Sequence, residues 1–447
     1  MADPINIDAI LKRARKANSQ NKIADLEDRV ALDFASKHAG DLRYIALWNR
    51  WMQWDGKRWR HEDTLGAFDI ARALCREAED AKAKTVAAVV TLARTDRRLA
   101  ATIEQWDTDL WSSNTPDGVI DLRTGKLHPH CATDYMTKIT AVAADSKCPI
   151  PVWLAFLKRV TDDDRDLVGF LQRMCGYALT GTTREHALFF LYGSGANGKS
   201  TFLNVLTGIV GDYHTTAPIE TFTASRFEHH STDLASLHGA RLVTAVETEE
   251  GRRWAESKIK AMTGGDKLSA RFMRQDNFEF VPRFKLVLAG NHKPGLRSVD
   301  EAIRRRLHLV PFNVIIPPSE RDDKLGERLY GEWPGIFAWM VEGCIQWQQI
   351  GLAPPQAVTS ATEAYLQSED ALTAWIDEAC IRDPNAWERT ATLYRAWKAW
   401  AEAAGEYDGG MRRFAQNLED RGFIYERSKR ARGFRGLRLV GDSFCAG

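Results

Sequence analysis

The chain has 447 residues, 44% hydrophobic and 27% charged, with a formal net charge of +1. These are the proportions of an ordinary folded protein, and the near-zero balance excludes a global field that draws in nucleic acid, leaving only local patches to do so. No run of about twenty apolar residues is present to span a membrane, and seven scattered cysteines without a C-x-x-C pair argue against a disulfide framework and for a reducing, cytoplasmic setting.

In chain order, the first forty residues read as charged helix. Their opening, MADPINIDAILKRARK, mixes acid and base without an apolar segment and does not read as a signal peptide. In LRYIALWNRWMQWDGKRWRHEDT, aromatic residues recur around Asp55-Gly56, a turn dipeptide between strand-like runs. A hairpin that packs its tryptophans is the first reading, and a stacking platform for bases is the rival. Residues 66–105 are expected to be helical, and TPDGVIDLRTGKLHPH (115–130) to form another hairpin about its two turn dipeptides. His128, His130, Cys131 and Cys148 fit no common zinc spacing. Residues 152–180 return to a helical period, with Trp153, Phe156, Leu157, Val160, Leu167, Phe170, Leu171 and Met174 as the apolar face.

From about residue 181 the pattern changes. The apolar runs HALFFLY (186–192), RLVTAV (241–246) and FKLVLAG (284–290) are separated by helical stretches. That alternation predicts an α/β fold with a parallel sheet flanked by helices. Between the first run and its helix lies GSGANGKS (193–200), which fits G-x-x-x-x-G-K-[ST]. Gly193, Gly195 and Gly198 allow positive φ and close approach to a phosphate. The amides then face one concavity at a helix N-terminus, Lys199 reaches the β- and γ-phosphates, and Ser200 offers its hydroxyl to magnesium. ATP and Mg2+ are the ligands this pattern implies; a glycine-rich turn with a buried lysine is the bland alternative.

A carboxylate at a strand end beside such a loop can hold the metal or orient water. Glu247 follows the second apolar run directly, with Glu249 and Glu250 behind it; a solvated acidic turn is the competing reading, above all for Glu250. Asn291 ends the third run and can position the attacking water, though an Asn before a turn is also a good turn residue. Arg304, Arg305 and Arg306 precede a further apolar strand. An arginine that reaches a neighbour's γ-phosphate stabilises the charge of the transition state; a solvated helix end is the alternative.

LAPPQAV (352–358) reads as a linker, because Pro354-Pro355 cannot continue a helix. Beyond it, residues 411–440 carry nine Lys or Arg against three Asp or Glu, a local charge of 9 − 3 = +6. A helix followed by two strand-like runs suggests a winged helix, with Arg427, Lys429, Arg430, Arg432 and Arg435 near the wing. Such a basic unit suits duplex DNA.

The stretches GYALTGTTREHALFFLYGSGANGKSTFLNVL, ARLVTAVETEEGRRW, KAMTGGDKLSARFM, FEFVPRFKLVLAGNHKP and DEAIRRRLHLVPF resemble the helicase part of phage and plasmid primase-helicases. That is the poxvirus-like branch of the superfamily 3 helicases, which are AAA+ ATPases. The resemblance extends to about nine-tenths of the chain. It implies an α+β N-terminal domain (1–150), a helical connector (151–185), an AAA+ P-loop ATPase domain (186–350) and a winged-helix-like C-terminal domain (357–447). It also implies a hexameric ring that moves along single-stranded DNA and unwinds duplex during replication.

Residue by residue, Gly193, Ser194, Gly195, Ala196, Asn197, Gly198, Lys199, Ser200 and Thr201 match the family's phosphate loop. Glu247 and Glu249 fall in its acidic motif, Lys260 and TGGD (263–266) in the motif that follows, and Asn291 on its sensor. Arg305 and Arg306 match the arginines offered across the subunit interface. LSARFMRQDNFEF (268–280) reads as the pore hairpin, with Arg271 and Arg274, together with Lys260, as cations for DNA phosphates. Glu247 stands where many ATPases have aspartate, which leaves the metal and water roles undivided between Glu247 and Glu249. Members often carry a primase domain first; no paired-aspartate strand typical of one is seen here, so priming is expected from a separate chain. An origin-remodelling ATPase and a nucleotide-gated loader remain the alternatives to a processive helicase.

Overall fold

The computed structural model describes residues 26–224, 231–246, 252–271, 277–296, 299–406, 408, 410–427 and 432–440. A helix over 26–38 leads into strands Leu42–Ile45, Arg50–Trp54 and Trp59–His61. The hairpin at Asp55-Gly56 forms, with Trp54 paired to Trp59. Trp51 and Trp59 are buried, the latter stacked on Tyr135 at 6.0 Å between ring centroids. Those two tryptophans are core, Trp54 is half-buried, and Trp48 is exposed, edge-on to His61.

Residues 66–105 depart from the single helical stretch expected of them. Helices Gly66–Glu77 and Ala83–Ala93 are separated at Glu79, whose φ is +58°. Strand Ala100–Ala101 then pairs parallel to Tyr44 and Ile45. Edge pairing to a distant strand overrides the local alanine-rich propensity. The hairpin expected near residue 120 is present and gains a strand: Ser112–Thr115, Gly118–Asp121 and Lys126–His128 form a meander. The apolar face of 152–180 is buried at all eight positions, but on two helices, Pro151–Val160 and Arg165–Leu179. Asp162 and Asp163 break the run with positive φ, and Asp164 caps the second helix by accepting from Leu167 N at 2.9 Å.

At the centre lies a parallel sheet of Leu188–Tyr192, His214–Thr216, Leu242–Val246, Lys285–Gly290 and Leu307–Pro311. Counted along the chain, the strands lie in the order fifth, first, fourth, third, second. Both faces are covered, as a parallel sheet requires. Successive residues of the first strand serve opposite cores: Phe189 packs with Phe170, Phe202 and Trp347, and Phe190 with Leu286, Leu288 and Leu309. Helices Arg165–Leu179 and Leu325–Ile350 pack closely on one side, where Gly176 faces the Cys344 backbone with no room for a Cβ.

Residues 352–358 do not form a linker. Leu352 and Val358 are buried in the first core, and helix Gln356–Ser368 begins straight after the two prolines. Pro is well tolerated there because the first turn of a helix has no intrahelical use for its N–H. Tyr365 and Leu366 join the second core, and Thr362 Oγ1 accepts from Leu309 N at 2.9 Å. The next unit starts at helix Ala371–Ala379 and continues as strand Cys380–Arg389, helices Thr390–Ala404 and Met411–Asp420, and strands Ile424–Arg427 and Arg432–Leu439. It has its own core around Trp375, Trp397, Phe414, Phe434 and Leu437. Among the described residues no helix is long and apolar enough to cross a membrane.

Candidate functional site

The glycine loop leaves the central sheet after Tyr192 and returns as helix Lys199–Val210. It is tied to the neighbouring strand end: Asn197 Nδ2 donates to Phe312 O at 2.7 Å, and Phe312 N donates to Tyr192 O at 2.8 Å. Gly193 packs so closely there that a Cβ would lie 2.1 Å from Phe312 O. Gly198 has φ +86°, and a Cβ would meet Val160 at 2.6 Å. Gly195, at φ +96°, faces open space. The glycines thus hold the loop against the sheet on one side and leave its concave side open.

Lys199 is 7% exposed. Its Nζ donates to Gly193 O at 2.7 Å, Asn197 Oδ1 at 3.1 Å and Asn291 Oδ1 at 3.2 Å. All three partners are neutral oxygens, and burial lowers the pKa of the ammonium. A cation held in this way is completed by an anion. Ser194, Ala196 and Ser200 are exposed around it, and Thr201 is half-buried.

Asn291 follows the strand that pairs Gly290 with Tyr192, so the register alone sets its amide beside the loop. On the other side of that strand, Val246 lies beside Ala289. Glu247, Glu249 and Glu250, which come next, lie outside the described residues, as do Arg274, Lys429 and Arg430.

The arginines divide. Arg304 pairs with Glu363 at 2.5 Å, and Arg305 is exposed. Arg306 turns inward: it is 7% exposed, with Nε on Thr263 Oγ1 at 3.1 Å and a guanidinium N–H on Ala302 O at 2.7 Å. The expectation that Arg306 is offered to a neighbouring subunit is corrected by that burial, since helix Glu301–Arg304 ends just before it and the chain enters a strand. Lys260, expected as a DNA-contacting cation, is half-buried and ion-paired. Its Nζ is engaged by Asp300, whose carboxylate also caps Ile303 N at 2.9 Å. Thr263 and Lys260 both lie on helix Glu256–Gly264, which therefore holds the arginine helix in place.

Strands Leu268–Arg271 and Asn277–Phe280 pair antiparallel, with Arg271 opposite Asn277 and exposed. Glu279 pairs with Lys267 at 3.7 Å, so it is not committed to Arg271. In the last unit, Arg427 and Arg432 face each other across the hairpin and are exposed. Arg435 pairs with Glu426 at 2.6 Å.

Sequence reasoning passed over Lys293. Its Nζ sits 4.2 Å from the centroid of the Tyr192 ring, at the root of the loop. The signal was the basic pair His292-Lys293 directly after Asn291.

Fold and site together define a class: mixed α/β proteins with a parallel sheet and a glycine loop at its carboxyl edge, where open α/β sheets receive ligands. Residues 31–162 match the family described as D5 N terminal like, and residues 191–306 match a family of unknown function. A helicase-named protein of Acanthamoeba polyphaga mimivirus is 26% identical over 310 residues, 64% of this chain and 32% of its own length. One of Frog virus 3 is 26% identical over 342 residues, 71% of this chain and 33% of its own. A primase-named protein of African swine fever virus is 22% identical over 325 residues, covering 67% and 34%. The chain thus spans about a third of the length of these relatives. The apo C-terminal region of NrS-1 shares the fold, with a TM-score of 0.51 at 9% identity over 89% of this chain and 96% of that one. These matches support a place for the chain among phage and viral primase-helicases.

Proposed function

We propose that this chain is the motor of an ATP-driven replicative DNA helicase, working as a hexameric ring on single-stranded DNA. The carrying observation is the buried Lys199 ammonium, held among the described residues by neutral oxygens between the glycine loop and Asn291. In this reading Lys199 binds the β- and γ-phosphates, and the open side of Gly195 receives the phosphate oxygens. Ser200 and the carboxylates Glu247 and Glu249 would hold Mg2+, which supplies charge neutralisation between the phosphates. Asn291 orients the water that attacks the terminal phosphorus, and Arg305 of a neighbouring copy stabilises the charge on the transferred group. The sheet order, with the loop strand between the last and fourth strands, supports an AAA+ core. The helix–strand–helix–helix–strand–strand order of 371–439 supports a winged helix, whose Arg427 and Arg432 suit duplex phosphates. Arg271 and Arg274 would grip single-stranded phosphates without sequence preference. The helicase and primase names of the relatives point the same way.

The test is ATP hydrolysis by the purified chain with and without single-stranded DNA. Strong stimulation, lost in Lys199→Ala by at least about a hundredfold, is the expected result. Hydrolysis indifferent to DNA would replace the helicase by a nucleotide-gated loader, and hydrolysis unchanged in Lys199→Ala would remove the phosphate-loop reading.

A further inference from the structure

Beyond Asn291 the site opens into a cleft of about 540 Å³, lined among others by Arg253, Asn291, His292, Lys293, Glu369 and Glu406. Two elements build it. Residues 291–296 leave the sheet, and the segment at Arg253 runs parallel beside Gly295. The Lys293 ammonium is fixed between rings, 4.2 Å from the Tyr192 centroid and 5.8 Å from that of Tyr365. Arg252, on the same wall, pairs with Glu220 at 2.8 Å. On the other wall Glu369 accepts from Leu296 N at 2.7 Å, and burial, with Glu406 nearby, pushes its carboxyl above the usual range.

Asn291 bridges the two spaces, since its Oδ1 touches the Lys199 ammonium and its residue lines the cleft. On the reading above, the terminal phosphate lies at Lys199 and Asn291. Displacement at phosphorus is in line. The water oxygen forms the new bond, and the bond from phosphorus to the β–γ bridging oxygen breaks. That oxygen keeps the electron pair and stays with ADP. The phosphoryl group moves away from ADP, becoming inorganic phosphate, and one proton of the water passes to solvent. Asn291 lines this cleft, which makes it the candidate space on that far side.

We propose that the cleft is a holding site for the released inorganic phosphate, with Arg253, His292 and Lys293 as its binding groups. Mixed charge suits a transient occupant: the cations draw the dianion in, and Glu369 and Glu406 limit its residence. The inference rests on the nucleotide reading of the glycine loop and deepens it.

The experiment is calorimetric titration of inorganic phosphate into the full chain saturated with ADP and magnesium. Wild type should bind phosphate, and His292→Ala with Lys293→Ala should weaken it at least about tenfold, with ADP affinity unchanged. Both residues are exposed, so the double variant keeps the core intact; Arg253→Gln gives an independent second variant. Equal phosphate affinity in wild type and variants, or none in the wild-type ADP complex, overturns the proposal. So does a variant that keeps phosphate and loses single-stranded DNA, which would assign the cleft to a nucleic-acid backbone. A chain that binds no ADP at all is a separate result and removes the nucleotide reading first.

Discussion

Arg306 donates to Thr263 and to the Ala302 carbonyl from a buried position, while Arg305, one residue earlier, lies in solvent. Removing a buried guanidinium takes away its bonds to Thr263 and the Ala302 carbonyl and leaves a void, so Arg306→Ala should destabilise the fold by about 1–3 kcal/mol. Arg305→Ala should stay within about 0.5 kcal/mol, as exposed substitutions do. Urea unfolding of the two variants measures this; equal losses would mean that the inward placement of Arg306 is wrong. The contrast marks what was legible at this scale. Lys199 and Asn291 could be read because their roles follow from position at a strand or helix end. Arg305 and Arg306 could not be told apart, because their directions depend on where helix Glu301–Arg304 stops, which the packing of helix Glu256–Gly264 decides. Lys293 was passed over for a related reason: its place over Tyr192 comes from two strands side by side.

The strand Lys285–Gly290 shows the same limit for elements. Its apolar run and its role were evident, and so was the Asn291 at its end. Its first residue was not. Lys285 is buried, with Nζ donating to the Thr180 carbonyl and lying 5.0 Å from the Tyr177 ring centroid. Burial, and then the neighbouring Arg241, lower its pKa well below 10.5. The unfolded chain therefore binds the proton more tightly than the folded one. Stability from this group rises with pH between the lowered folded value and 10.5. Against Lys285→Met, which has no such proton, wild type should gain stability as pH rises toward 10.5, by at most about 1.4 kcal/mol per pH unit. Denaturant unfolding of both proteins across that range measures the difference; a constant gap would show that the amine is equally charged folded and unfolded. Elements read from local pattern failed where distant pairing intervened. Residues 66–105 broke to place Ala100–Ala101 against Tyr44–Ile45, and Leu352 and Val358 joined the core because the long helix before them turns the chain back onto the sheet.

For the whole molecule the open matter is how a site with one exposed arginine completes itself. Lys199 and Asn291 meet within one chain. The short helix before Arg305 is held by Lys260 through Asp300 and by Glu363 through Arg304, and these anchors present Arg305 outward. A group held rigidly and pointed away from its own core is suited to a site on another copy. Each active centre would then combine the Lys199 of one subunit with the Arg305 of the next. Lys199→Ala and Arg305→Ala proteins would each be inactive alone, for different reasons. Mixed, they form some junctions in which an Arg305→Ala subunit supplies an intact Lys199 and a Lys199→Ala neighbour supplies an intact Arg305. Those junctions are wild type in composition. ATP hydrolysis should therefore return on mixing, to about a quarter of the wild-type rate if subunits assort at random and each junction acts alone. An Arg305 that works within its own chain gives no recovery at any ratio, because no mixed pairing then restores both residues to one centre.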